Sequence, residues 1–184
     1  MQIGPKLTAS SGPKSSSPSS GSESRHRPGA LTRFFRPRRM TSLILLHDSH
    51  TPPSVPSGEA WLRHTGRQMG LLEIGYHAII ERSGLVRFTR PWDVMGSHAP
   101  GLNHTSIGIC LMGGEDEDGS PASNFTGDQM VALHELLIVL VAAYPGVDVR
   151  GHSEAQVVRT KTGRKRQCPM IDMRELRRSL ASDR

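Results

Sequence analysis

The alternation of hydrophobic and polar positions changes character near residue 40. Residues 8–29 are dominated by Ser, Gly and Pro. Such a stretch buries too little apolar surface to offset the entropy of ordering, so it predicts a leader outside any core. From Thr41 the pattern is that of a folded chain. The run SLILLH is short, apolar and bounded by polar residues, which predicts a buried strand ending at His47. The proline-rich HTPPSVPSG reads as a loop, and Glu59 to Met69 predicts a helix burying Trp61 and Leu62, with Ser57 as its N-cap. GYHAIIE and LVRFT flank Arg82-Ser83-Gly84, a turn signal that predicts a β-hairpin with Tyr76 and His77 at its start.

SIGICLMGG predicts a buried strand, and the acidic GEDEDGS after it reads as a surface loop. The clearest helix starts after Thr126, with Gln129 three residues on in a capping-box pattern. Met130, Leu133, Leu136, Leu137, Leu140 and Tyr144 share one face of it, and Pro145-Gly146 ends it. VDVRGH predicts a short strand leading to His152, and Asp172 to Leu180 a last amphipathic helix with arginines on its polar side. The order β-α-β-β-β-α-β-α mixes hairpin and helical connections. It predicts an α/β (α+β) domain over residues 41–184, with a central mixed sheet flanked by about three helices, behind a basic leader of residues 1–40.

The net charge of +6 brings nucleic acid, an anionic membrane face and anionic envelope polymers into view as partners. Much of the excess lies in Arg25, Arg27, Arg33, Arg36, Arg38 and Arg39, beside only Phe34 and Phe35 as aromatics. With no stacking motif, a solvated basic tail is the expected reading, and no specific nucleic-acid binding is expected. No run approaches the eighteen or so apolar residues of a membrane span, and the start lacks the apolar core of a secretory signal. A soluble, monomeric product made in a host cytoplasm without Sec export is expected. Cys110 lies in an apolar run and Cys168 before a proline among basic residues, contexts that suit a core or metal-binding thiol better than a disulfide.

Nine histidines offer candidate chemistry, but there is no HExxH and no CxxC, so local spacing alone does not select a metal site. Taken singly, each histidine is more often a surface or hydrogen-bonding residue than a ligand. The ordered blocks LLHDSHTPP, IGYHAIIERSGLV, GSHAPGLNHTSIGICLMGG, NFTGDQMVALHELL and GHSE followed by QCP change that picture. From about Leu43 to Leu180 the chain resembles the N-acetylmuramoyl-L-alanine amidase family of the phage lysozyme type, which is related to peptidoglycan recognition proteins. The resemblance implies hydrolysis of the amide between N-acetylmuramic acid and L-alanine in bacterial peptidoglycan, acting at the cell wall after release. It also implies Zn²⁺ held by His47, His152 and Cys168. Two imidazoles and a thiolate suit that ion, and three protein ligands leave a fourth position open for catalysis.

Tyr76 matches the family's GYH tyrosine. Many members carry a lysine two residues before the ligand cysteine, where this chain has Arg166, with Lys165 one residue earlier. The expectation is that Arg166 or Lys165 assists Tyr76 in stabilising the oxyanion. Ser97, His98, Asn103 and His104 share a loop that either borders the substrate groove or is held by its own hydrogen bonds. His77 is expected to be structural, Cys110 a core residue, and His50, His64 and His134 surface positions. Relatives of this fold that bind peptidoglycan without cutting it typically lack the cysteine, so the presence of Cys168 favours an enzyme over a binding module.

Overall fold

The structure is a computed structural model that describes residues 35–182 except 56 and 161. Along the described residues the elements run β1 (Leu43–Asp48), α1 (Gly58–Gln68), β2 (Ala78–Ile80), β3 (Val86–Phe88), β4 (Ser106–Leu111), α2 (Gly127–Ala143), β5 (Asp148–Gly151), α3 (His152–Ala155) and α4 (Met173–Ser182). The sheet has the order β3-β2-β4-β1-β5. β1 pairs in parallel with β4 and β5, β2 pairs in parallel with β4, and the β2–β3 hairpin is antiparallel. The mixed sheet expected from the order of elements is therefore present. The single turn α3 was not anticipated, since four residues are too few to display a helical period.

Strand periodicity sorts the side chains. Ile44 and Leu46 of β1, with Ile107, Ile109 and Leu111 of β4, face one side, where Leu133, Leu137 and Leu140 of α2 and Met173, Leu176 and Leu180 of α4 close the main core. Residues in the other phase, among them Ile79 and Cys110, pack with Leu62 of α1. His47 shares the phase of Leu45 and so belongs to the side that α1 covers.

The helix ends are fixed by side chains. Ser57 accepts from the Ala60 amide, and the Glu81 carboxylate at the end of β2 accepts from the amides of Gly58 and Glu59 at 2.8 and 3.2 Å. Thr126 and Gln129 form the predicted capping box. Gln129 is also fully buried and donates to the carbonyls of Ile80 and Met112, fastening α2 to the ends of β2 and β4.

The boundary expected at Met40 falls too late. Pro37 bridges to Val94, the Met95 amide donates to the Arg36 carbonyl at 2.7 Å, and the Arg38 amide donates to Asp93. The Arg38 guanidinium, assigned above to a solvated tail, is buried and donates to the carbonyls of Trp92, Val94 and Ser106. Charge is tolerated there because three carbonyls accept from it. The rest of the leader, with Arg25, Arg27 and Arg33, lies outside the described residues. A chain beginning at Met40 should unfold with a free energy at least about 3 kcal/mol below that of one beginning at Phe35, because several buried acceptors lose their donor. Equal urea midpoints for the two chains would contradict this.

His77 lies beside Arg38 and is fully buried, in keeping with a structural role. Its Nδ1 accepts from the Gly108 amide at 2.9 Å, so Nε2 carries the proton and donates to the Val94 carbonyl at 3.0 Å. Burial first, and the Arg38 charge after it, lower its pKa to about 4. The fold therefore holds the neutral ring. That contribution is present above the unfolded value of about 6.5 and is lost as pH falls toward 4, amounting to about 3 kcal/mol. Unfolding free energies of wild type and His77→Gln should differ most at pH 7 and converge toward pH 4, and a gap independent of pH would refute this account.

Candidate active site

Three elements bring the chemistry together. β1 delivers His47 at its end, β5 runs directly into α3 whose first residue is His152, and the loop before α4 carries Cys168. Ligand atoms of His47, His152 and Cys168 lie within 4.8 Å of one another, and the two imidazole centroids are 4.3 Å apart. Asp48, His50 and Cys168 form a second, overlapping group at the same spacing. A cleft of about 270 Å³ opens over them, lined by His47, Tyr76, Ser97, His98, His152 and Cys168, together with Trp61, Leu62 and Thr65 of α1 and Met69 at its C-cap.

The donor set fits a borderline-soft dication. Burial holds His47 well below its ordinary pKa and lowers His152, so both rings are neutral and each offers a lone pair. Burial also pushes the Cys168 thiol up to about 12. A bound cation reverses that preference, because coordination deprotonates a thiol outright.

Tyr76 stands against His47, with ring centroids 5.1 Å apart. Its phenol is held well above its usual pKa by burial and then by the Cys110 thiol, so it remains a hydrogen-bond donor at neutral pH. His98 Nδ1 lies 3.0 Å from His47 Nε2, and burial lowers its pKa to about 3. A methyl group added at Gly108 would come within 2.5 Å of the His98 ring, and one at Gly96 closer still. The His98 loop is also self-supported: Asn103 Oδ1 accepts from the amides of His98 and Ala99, both at 2.9 Å. Ser97 and His98 of this loop line the cleft, while Asn103 braces the loop from behind. His104 is exposed and is not among the lining residues.

Arg166 is not in the cleft. Its side chain is 1% exposed and makes an ion pair with Asp48 at 3.0 Å, and its Nη2 also donates to the Gly114 carbonyl. The expectation that Arg166 reaches an oxyanion is therefore corrected: a guanidinium here needs its buried counter-charge more than it needs solvent or substrate. Lys165 is exposed on a bridge to Arg159 and lines no part of the cleft. Two site residues were missed in the sequence. Asp48 is buried, and His50, taken for a surface residue, lines the cleft with Nε2 3.1 Å from Asp48 Oδ1.

Against this geometry, the profile of the N-acetylmuramoyl-L-alanine amidase family matches residues 37–170. The chain belongs to that family. It is an amidase, and the bond it hydrolyses joins N-acetylmuramic acid to L-alanine. The endolysin of Enterobacteria phage T3 is 40% identical over 140 residues, which covers 76% of this chain and 87% of that protein. Among solved structures, the endolysin N-acetylmuramoyl-L-alanine amidase LysCS from Clostridium intestinale aligns with a TM-score of 0.62 at 26% identity, over 77% of this chain and 84% of that one. Drosophila PGRP-LB shares the fold, with a TM-score of 0.52 at 22% identity over 70% of this amidase and 82% of its own length.

Proposed function

We propose that the amidase is zinc-dependent, with Zn²⁺ held by His47, His152 and Cys168, and that it serves in lysis of the bacterial cell wall. The observation that carries this is the convergence of three ligand atoms within 4.8 Å at the end of a cleft, in a chain 40% identical to a phage endolysin. When bound, zinc supplies a Lewis acid for the carbonyl and lowers the pKa of a water toward about 7. The protein's own groups do the rest. The Tyr76 phenol, kept protonated, donates to the oxygen that gains charge as the amide is attacked. The neutral His98 ring and Ser97 form the wall against which the muramyl peptide is held, and α1 closes the opposite side and excludes water. With Arg166 buried and Lys165 at the surface, Tyr76 is the oxyanion donor from the chain.

Two overlapping triads share Cys168, and the His47 set is preferred because the Asp48 carboxylate is already occupied by Arg166. The test is release of peptide from purified peptidoglycan by protein stripped with a chelator and reloaded with zinc. Restoration by about one equivalent is expected. Full hydrolysis by protein shown to be metal-free would refute zinc dependence, and zinc uptake with wall binding but no cleavage would instead indicate a recognition module.

A further inference from the structure

The residue that follows each histidine grips the cysteine loop. Asp48, directly after His47, accepts through Oδ2 from Nη2 of Arg166 and from the amide of Met170, both at 3.0 Å. Those two donors lie two residues before and two residues after Cys168. Ser153, directly after His152, accepts through Oγ from the Cys168 amide at 3.1 Å, and its own amide donates to the Cys168 carbonyl at 2.9 Å. The same Nη2 of Arg166 also donates to the Gly114 carbonyl at 3.0 Å. Gly114 has no room for a side chain, since a methyl there would come within 2.5 Å of the Asp48 carboxyl carbon.

We propose that Asp48 and Ser153 are positioning residues that set the Cys168 thiol in register with the two imidazoles, with Arg166 as the counter-charge that makes a buried Asp48 tolerable. This rests on the zinc reading above. The physical reason is that a thiol on a loop has no strand or helix to place it. His47 and His152 inherit their positions from β1 and from the β5–α3 junction, whereas Cys168 must be tied to both. Each tie runs through the neighbour of a ligand, so a shift of either histidine carries the cysteine with it. Groups that orient metal ligands from behind typically carry about 10–100-fold in metal affinity.

The test is zinc affinity of the full chain, measured by competition with a chromogenic chelator, alongside thermal midpoints of the metal-free proteins and separate kcat and KM values. Ser153→Ala should weaken zinc binding by about 10-fold, and Ser153→Thr, which keeps the hydroxyl, should restore it. Asp48→Asn leaves Arg166 with a reduced partner and is compared with the charge-balanced pair Asp48→Asn with Arg166→Gln. In the folded double variant, zinc affinity should fall by about 10–100-fold, and kcat at limiting zinc should fall more than KM changes. Wild-type affinity in both folded variants would overturn the positioning role while leaving the zinc site standing. Two zinc ions in the wild type and one in the double variant would make Asp48 a ligand and overturn it as well. A wild type that takes up no zinc would instead sink the reading of the site itself, and this proposal with it.

Discussion

Cys168→Ser should lower turnover by more than about 100-fold, because groups that merely orient metal ligands already carry about 10–100-fold and a direct ligand carries more. The fold should survive. In the metal-free protein the Cys168 thiol is neutral, its pKa pushed up to about 12, so replacing it with a neutral hydroxyl removes no charge from the interior. The penalty is that of burying a slightly more polar group, about 1–2 kcal/mol. The measurement is peptide release from a soluble muropeptide, together with urea unfolding of both proteins in chelator. A variant that retains a tenth of wild-type turnover with stoichiometric zinc would show that the thiolate is not required, and one that unfolds without metal would show that Cys168 is chiefly a packing residue.

Arg166→Ala should have the largest effect on stability, lowering the unfolding free energy by about 3–5 kcal/mol, since it strands the buried Asp48 carboxylate without its partner. Lys165→Ala, one residue away but exposed, should change stability by less than about 0.5 kcal/mol and leave turnover near wild type. Chemical denaturation of the two alanine variants separates the roles. If Arg166→Ala were as stable as wild type but slow, the charge would be acting on substrate. If Lys165→Ala were the slow one, the exposed lysine would be reaching the cleft from its bridge with Arg159.

The contrast between these neighbours shows where the sequence was legible. Ile44 and Leu46 announced themselves as part of a short apolar run, Leu133, Leu137 and Leu140 by helical period, and β1 and α2 stand where those signals put them. Thr126 and Gln129 did the same for the start of α2. His47, Tyr76, His152 and Cys168 were legible only through ordered motifs, because they come from four separate segments and no local spacing links them. Asp48 and Arg166 are 118 positions apart, and nothing local to either residue says that one buried charge is answered by the other. A signal existed all the same. An acid at the end of an apolar strand needs a counter-charge, and the basic run before Cys168 was the nearest supply in the motif order. Arg38 was misread for the converse reason, since a basic run looks solvated until a set of inward-facing carbonyls is found to receive one member of it.

The fit of His98 between Gly96 and Gly108 has a bearing on how this cleft can vary. The imidazole occupies the volume that two missing methyl groups would need, so the three positions form one unit of shape. Alanine at either glycine has to expel the ring from its seat, and with it the 3.0 Å approach to His47. A smaller residue at 98 opens a hole that two glycines cannot fill. Single steps away from the present arrangement are therefore closed, and a viable alternative needs concerted replacement at two positions or more. A saturation scan of this enzyme would accordingly score two residues that possess no side chain among the determinants of its cleft.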